Sequence, residues 1–294
     1  MENILIKNGD EYYPKILAEI TNRPDSFYFR GDLEVLKKPK ISVVGTRRPS
    51  AYGEYCCKKI VAELCEIPDI CIVSGLAKGI DTIAHETALK CGAWNIAVLG
   101  SGINHIYPRQ NKELSEKISK KGGIISEFSP EEGARDYYFP LRNRIISGIS
   151  CATLAIEAPE ESGTLITMKY ALEQNRACFC VPSDIDRPSA LGSLRLLQQS
   201  LAYPVSSGRE IVTFLRENSG LFQEEIFSAG KKCERNFQDE KMDLVFSLLN
   251  FGRGKSVFEI QKKSELTVSD VLSVLSKLEI QGDIIFRAGL YFKN

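Results

Sequence analysis

Six short runs of nearly unbroken apolar residues, spaced by helix-length segments, dominate the chain from Ile41 onward. They are ISVVG (41–45), ICIVSG (70–75), WNIAVLG (94–100), GIISE (123–127), CATLAIEA (151–158) and ACFCVP (177–182). A strand with one wet face alternates polar and apolar residues. Runs without that alternation are buried on both faces, which is the condition of a parallel sheet. The segments between them, 53–66, 79–91, 109–121, 139–149 and 163–175, read as crossover helices. The expected fold class is therefore α/β, a doubly wound, mainly parallel sheet with helices on both faces.

Residues 1–40 carry two apolar patches, around Tyr12 to Ile20 and Phe27 to Phe29, and read as a leader packed on the core formed by residues 41–216. Residues 217–239 are polar, contain Gly and Ser, and lack a period, so they read as a linker. A second pattern fills 240–294. Its first helix carries Met242, Val245, Phe246 and Leu249, and its second starts near Ser256. Its third, within 267–282, places Val268, Val271, Leu272, Leu275 and Leu278 on one stripe. Two short strands around Ala288 and Gly289 follow. Three helices and a hairpin are the outline of a small winged-helix domain.

Charge narrows the function. The 38 Lys and Arg balance the 38 Asp and Glu over 294 residues, which excludes a polycation that holds nucleic acid by bulk charge. No segment is basic as a whole: residues 41–216 hold 20 basic and 19 acidic side chains, and 240–294 hold 8 and 7. Any polyanion must be held by a few local charges. Nine cysteines, an odd number without a CxxC pair, argue against a disulfide-stapled secreted fold, and two histidines argue against a metal site. The N-terminus lacks a signal-peptide pattern, and no apolar stretch approaches the ~20 residues that span a bilayer, so a cytoplasmic protein without membrane contact is expected.

In an open parallel sheet, ligands lie outside the carboxyl ends of the strands. Arg47 and Arg48 follow the first run. Ser74, Gly75, Lys78 and Gly79 follow the second, and Ser162, Gly163 and Thr164 open the helix after the fifth. Phe139, Arg142, Asn143 and Arg144 lie on the helix that precedes that fifth run. A small hydroxyl and a glycine at a helix start leave backbone N–H groups free for phosphate, and nearby arginines add charge-assisted bonds. Phe139, Tyr137 or Tyr138 would offer a surface on which a base stacks. Several such cradles along one edge suit a polyanion better than a mononucleotide.

Plainer readings stand beside these. A Ser-Gly pair at a helix start is commonly an N-cap, and Arg142 and Arg144 have Glu127 and Glu157 as structural partners. GSGIN has His105 where a dinucleotide fingerprint has its third glycine, so it reads as a tight turn. Asp81, His85 and Glu86 share a helical face, but a histidine there is more often packed than catalytic. No nucleophile–base–orienter set is legible elsewhere, so no catalytic residue is assigned.

GTRRPSAYG (45–53), SGLAKGID (74–81) with His85, AVLGSGINHIYPRQN (97–111), SEF (126–128), FPLRNRIISGIS (139–150), EAPEESGTLITMKYALEQNR (157–176) and VPSD (181–184) occur in this order. Together, over about Tyr13 to Val205, they resemble the DNA-processing protein A (DprA/Smf) family. Residues 241–294 resemble the winged-helix module many members carry. The resemblance implies an extended Rossmann domain that binds single-stranded DNA, forms a homodimer and loads RecA recombinase in natural transformation, with no enzymatic activity, cofactor or metal. By position, Arg47 would grip the strand's backbone, Ser74, Gly75, Lys78 and Gly79 would line the same pocket, and Phe139, Asn143 and Arg144 would lie beside it. Ser162, Gly163 and Thr164 would supply the backbone cradle.

The chain departs from the family pattern in places. Asp136 stands where a basic residue is common, with Arg135 adjacent. Ser183, Leu194, Ser200 and Leu201 replace a usual glycine, asparagine, glycine and alanine in the last α/β unit, where the family's dimer contacts form. A reading from another class is a nucleotide-processing enzyme of the nucleoside-monophosphate phosphoribohydrolase type, which also opens a helix with a Gly-Thr turn. EESGTLIT lacks that family's double glycine and trailing acid. The third helix of the C-terminal module exposes one basic residue, Lys277, so this module is expected to serve protein contacts more than DNA affinity.

Overall fold

The apolar runs become the middle of a nine-stranded sheet in a computed structural model that describes residues 2–219, 239–249, 255–287 and 289–293. Its strands are β1 (Ile4–Lys7), β2 (Ser26–Gly31), β3 (Lys40–Val44), β4 (Cys71–Ser74), β5 (Trp94–Val98), β6 (Gly122–Ser126), β7 (Ala152–Ala155), β8 (Ala177–Cys180) and β9 (Tyr203–Pro204). They lie in the order β1-β2-β6-β5-β4-β3-β7-β8-β9. From β6 across to β9 the pairing is parallel, while β1, β2 and β6 pair antiparallel. Every residue of β3, β4, β6 and β7 is buried, as unbroken apolar runs require.

The helices are α1 (Lys15–Ala18), α2 (Ala51–Leu64), α3 (Ile80–Lys90), α4 (Lys112–Lys120), α5 (Tyr138–Gly148), α6 (Gly163–Glu173), α7 (Leu191–Gln198) and α8 (Gly208–Ser219). Successive strand residues face opposite layers. Cys71 and Val73 pack with Leu17, Ile145 and Met168 of α1, α5 and α6. Ile72 packs with Ile60, Ile80 and Val212 of α2, α3 and α8. The chain runs outward from β3 to β6, then returns to the other side of β3 as β7. The strand order thus reverses between β3 and β7, and the loops at their carboxyl ends flank a crevice.

Residues 1–40 do more than pack on the core. The alternation Ser26, Phe27, Tyr28, Phe29 buries both phenylalanines completely and makes β2 a strand that extends the sheet at β6. An isolated SFYF was too short to separate from a packed turn by its pattern alone.

Two compact units divide the chain, Met1–Ser228 and Ala229–Asn294. The second holds α9 (Glu240–Leu248), α10 (Val257–Ser264), α11 (Val268–Ile280) and an antiparallel pair, β10 (Ile284–Arg287) and β11 (Leu290–Lys293). A capping box between Ser256 and Glu259 starts α10, and the Thr267 hydroxyl caps α11 by accepting from the Asp270 N–H. The buried stripe of α11 is Val271, Val274, Leu275 and Leu278, the i, i+3, i+4, i+7 set. Val268 and Leu272, expected on that stripe, are exposed instead. Residues 220–238, nearly all of the expected linker, lie outside the described residues, as does Ala288.

Candidate nucleic-acid interface

Five loops and helix starts converge at the carboxyl edge of the sheet. After β3 the chain carries Arg47 and Arg48, both exposed, and after β4 it carries exposed Lys78. These two loops touch through backbone. Gly79 adopts φ +75°, and a Cβ there would lie 2.7 Å from the Arg47 carbonyl carbon, so only glycine fits. The Ile80 N–H donates to the Thr46 carbonyl at 3.2 Å and closes the junction. Among the described residues, Arg47, Arg48 and Lys78 form no ion pair. Charges left without partners at one edge are available to a ligand.

Arg47 lies over the Phe139 ring, 5.7 Å from its centroid, and the Tyr107 ring packs against the same ring at 5.4 Å, tilted by 43°. A cation above an aromatic face at an exposed site contributes ~0.5–1 kcal/mol, enough to bias the arginine's direction. Tyr107, half exposed, was not singled out in the sequence because it sits inside a turn-like run. Tyr137 is 55% exposed, whereas Tyr138 is buried and stacked on Phe128 at 3.9 Å, which removes it as a base platform. Arg135 bonds the Tyr137 hydroxyl at 3.0 Å and pairs with Glu132 at 3.5 Å, and Asp136 beside it is exposed.

Several of the other expected residues lie below the surface. Arg142 is 5% exposed, and its Nη1 donates to the carbonyls of Gly75 and Val98. Asp81 accepts from the N–H groups of Gly75 (3.1 Å) and Ala77 (3.3 Å), and its carboxylate and the Arg142 guanidinium flank the Cα of Gly75. Burial lowers Arg142 to about 10, with the Asp81 charge opposing; burial raises the Asp81 carboxyl, with Arg142 opposing. The Ser74 hydroxyl donates to the Val43 carbonyl at 2.6 Å and stitches β4 to β3. Ser74, Gly75 and Arg142 therefore form the frame under the loops. Arg144 is paired with Glu127 at 2.7 Å, the structural partner its sequence neighbours suggested.

Helix α6 supplies a second anion-attracting feature. Asn143 of α5 is buried and donates to the Gly163 carbonyl at 3.2 Å, which fixes the helix start. Ser162 precedes the helix and makes no side-chain cap bond; the Leu165 N–H turns back to the Ser162 carbonyl at 3.1 Å, and the Gly163 and Thr164 N–H groups have no side-chain cap. Gly163 is exposed, while Thr164 is buried at 6%. Glu160 and Glu161 stand at this opening, and Glu160 is neutralised by Arg195 at 2.7 Å.

His85 is packed into the interior. It is fully buried, Nδ1 lies 2.6 Å from the Asn95 Oδ1, and Asn95 Nδ2 donates to the His85 carbonyl at 2.9 Å. That orientation of Asn95 makes Nδ1 the protonated nitrogen and leaves Nε2 without a partner. Burial lowers the ring to about 4. Glu86 of the same trio is exposed.

A family profile described as DNA recombination-mediator protein A matches residues 4–216. DNA processing protein DprA of Bacillus subtilis is 39% identical over 217 residues, covering 74% of this chain and 72% of that protein. Protein Smf of Escherichia coli is 34% identical over 291 residues, covering 98% of this chain and 77% of that protein. Two solved structures share the fold. DprA of Streptococcus pneumoniae matches with a TM-score of 0.69 at 38% identity, over 72% of this chain and 74% of that one. A structure addressing the single-stranded DNA binding mode of DNA processing protein A from Helicobacter pylori matches at 0.66 and 26%, over 74% and 97%.

Two outcomes test the division between frame and surface. Arg142→Leu strands a buried carboxylate and two carbonyls, and is expected to cost about 3–5 kcal/mol in urea unfolding, whereas exposed Arg47→Ala, which loses at most its contact with the Phe139 ring, stays within ~1 kcal/mol. His85 falls from the ordinary 6.5 to about 4 on folding. The unfolded chain then takes up a proton that the folded chain refuses. Stability present above pH 6.5 is lost as pH drops toward 4, by up to about 3 kcal/mol. Unfolding curves of wild type and His85→Gln, compared across this range, should show the flatter dependence in the variant; equal slopes contradict a buried neutral ring. The comparison cancels Asp81, whose raised carboxyl acts in the opposite direction.

Proposed function

The chain belongs to the DNA recombination-mediator protein A family, and from that premise we propose that it binds single-stranded DNA along the carboxyl edge of its sheet, protects the strand and loads RecA onto it during natural transformation. The observation that carries this reading is the group Arg47, Arg48 and Lys78: exposed, without a described carboxylate partner, and held on two interlocked loops. The Phe139 ring and the uncapped start of α6 lie on the same edge. A strand has a phosphate at every nucleotide and a stackable face between, which suits charges, an aromatic ring and N–H groups gathered on one edge. The relation to the Helicobacter pylori protein supports the choice of single-stranded DNA as ligand.

The same features weigh against a nucleotide-processing enzyme. The crevice between β3 and β7, where a Rossmann-like enzyme holds a nucleotide's phosphate, contains the Glu157 carboxylate. The one buried histidine is neutral and has no route to a substrate. A homodimer is part of the proposal, and β9 at the sheet edge, with exposed Leu201 and Tyr203, is the surface that fits it. Ser200 there has φ +56°, a left-handed backbone that favours glycine.

We read the second unit as a winged helix that serves protein contacts. Lys277, the basic residue of α11, pairs with Asp239 at 3.8 Å, and Asp270 at the start of that helix pairs with Lys241 at 2.9 Å. That leaves α11 itself no free basic side chain for a groove.

A salt series of oligothymidine binding tests the assignment. Wild type should prefer single strand to duplex, and Arg47→Ala or Lys78→Ala should each flatten the log–log salt slope by about 0.7. Removing 217–294 should leave the affinity largely intact. Unchanged slopes in both variants contradict the edge as the binding surface, and release of base from AMP or CMP would favour the enzyme.

A further inference from the structure

Glu157 ends the fifth apolar run and is fully buried at the point where the strand order reverses. A buried carboxylate persists only where donors surround it. Its Oε2 accepts from the Ser50 N–H at 2.8 Å, and its Oε1 from the hydroxyls of Ser50 (2.7 Å) and Ser189 (3.0 Å). Arg187 Nη1 is 3.7 Å from Oε1 and donates to the Ser50 hydroxyl at 2.7 Å. Ser50 is the N-cap of the 14-residue α2, accepting from the Gly53 N–H.

A backbone N–H, two hydroxyls and a guanidinium at the start of the helix that follows the first central strand form an oxyanion cradle, the arrangement in which doubly wound folds place a phosphate. Gly53 shows that the cradle is shaped around its occupant. A Cβ at that position would collide with Oε2 of Glu157, so the absence of a side chain there is what lets the carboxylate reach the helix start.

The same residue ties the loops together. Its carbonyl accepts from the Thr46 N–H at 2.8 Å, one residue before Arg47. Its side chain joins Ser50, at the end of the loop after β3, to Ser189 and Arg187, which follow β8. Arg187 in turn lies over the Tyr52 ring at 5.0 Å. Arg47 and Arg48 are therefore held between two points anchored on Glu157.

We propose that Glu157 is a built-in stand-in for phosphate: its carboxylate fills the oxyanion cradle at the switch point and, as a positioning residue, sets the loop that presents Arg47 and Arg48 to the strand. The second half rests on the single-stranded DNA reading; the first does not. The vacated cradle is complementary to a small oxyanion, formate or inorganic phosphate.

The test uses the full chain with Glu157→Ala. Melting temperature and oligothymidine affinity are measured in sodium chloride and, at equal ionic strength, in sodium formate or sodium phosphate. In chloride the variant should melt lower and bind about tenfold more weakly, and the gap to wild type in both should largely close in formate or phosphate, each compared with wild type in the same salt. Losses that neither anion restores would make Glu157 ordinary packing and overturn the proposal, as would no loss at all. Should the variant not fold in chloride, refolding yield decides: recovery with formate supports the cradle, aggregation in all three salts overturns it. If wild type does not bind oligothymidine, the strand-binding reading fails, while rescue of the melting temperature still judges the cradle by itself.

Discussion

A buried guanidinium underlies the whole carboxyl edge. Arg142 reaches from α5 to the ends of β4 and β5, satisfying the Gly75 and Val98 carbonyls, and it balances the Asp81 carboxylate that gathers the Gly75 and Ala77 N–H groups. A buried charge of this kind is costly unless each of its donors and its counter-charge is provided, and once provided it fixes geometry tightly. The consequence reaches the surface: α5 so anchored places Phe139 under Arg47 and Asn143 against the start of α6. Exposed loops are thereby set by interior polar bonds.

The sheet was legible because its signal is redundant. Six apolar runs, each too long for one-sided burial, leave a parallel sheet as the economical solution, and all six became strands. The leader's strands were hidden, since β1 buries only Ile6 and β2 is one short alternation. On α11 the apolar residues Val268 and Leu272 extend around the helix beyond its buried stripe, so periodicity located the helix and misplaced its face by including both.

The site was legible in part. Loops after β3 and β4 were found because strand ends in a doubly wound sheet are where ligands go, and Arg47, Arg48 and Lys78 are exposed there. Which polar residues face inward was not legible: FPLRNR offers two arginines, and only packing separates buried Arg142 from Arg144 at the rim with Glu127. Glu157 was visible only as a lone acid closing an apolar run; its partners Ser50, Ser189 and Arg187 come from loops far apart in sequence. The zero net charge gains a physical sense from this arrangement. The buried carboxylates of Asp81 and Glu157 are spent on internal partners, while Arg47, Arg48 and Lys78 stand exposed on two loops.

Hydrogen–deuterium exchange of the full chain, with and without oligothymidine, tests most directly whether this edge is the nucleic-acid surface. Protection is expected in 45–50, 77–80 and 162–166 and at the start of α5, with exchange in 239–293 unchanged. Protection concentrated in 239–293, with the sheet-edge loops exchanging as before, would contradict the account.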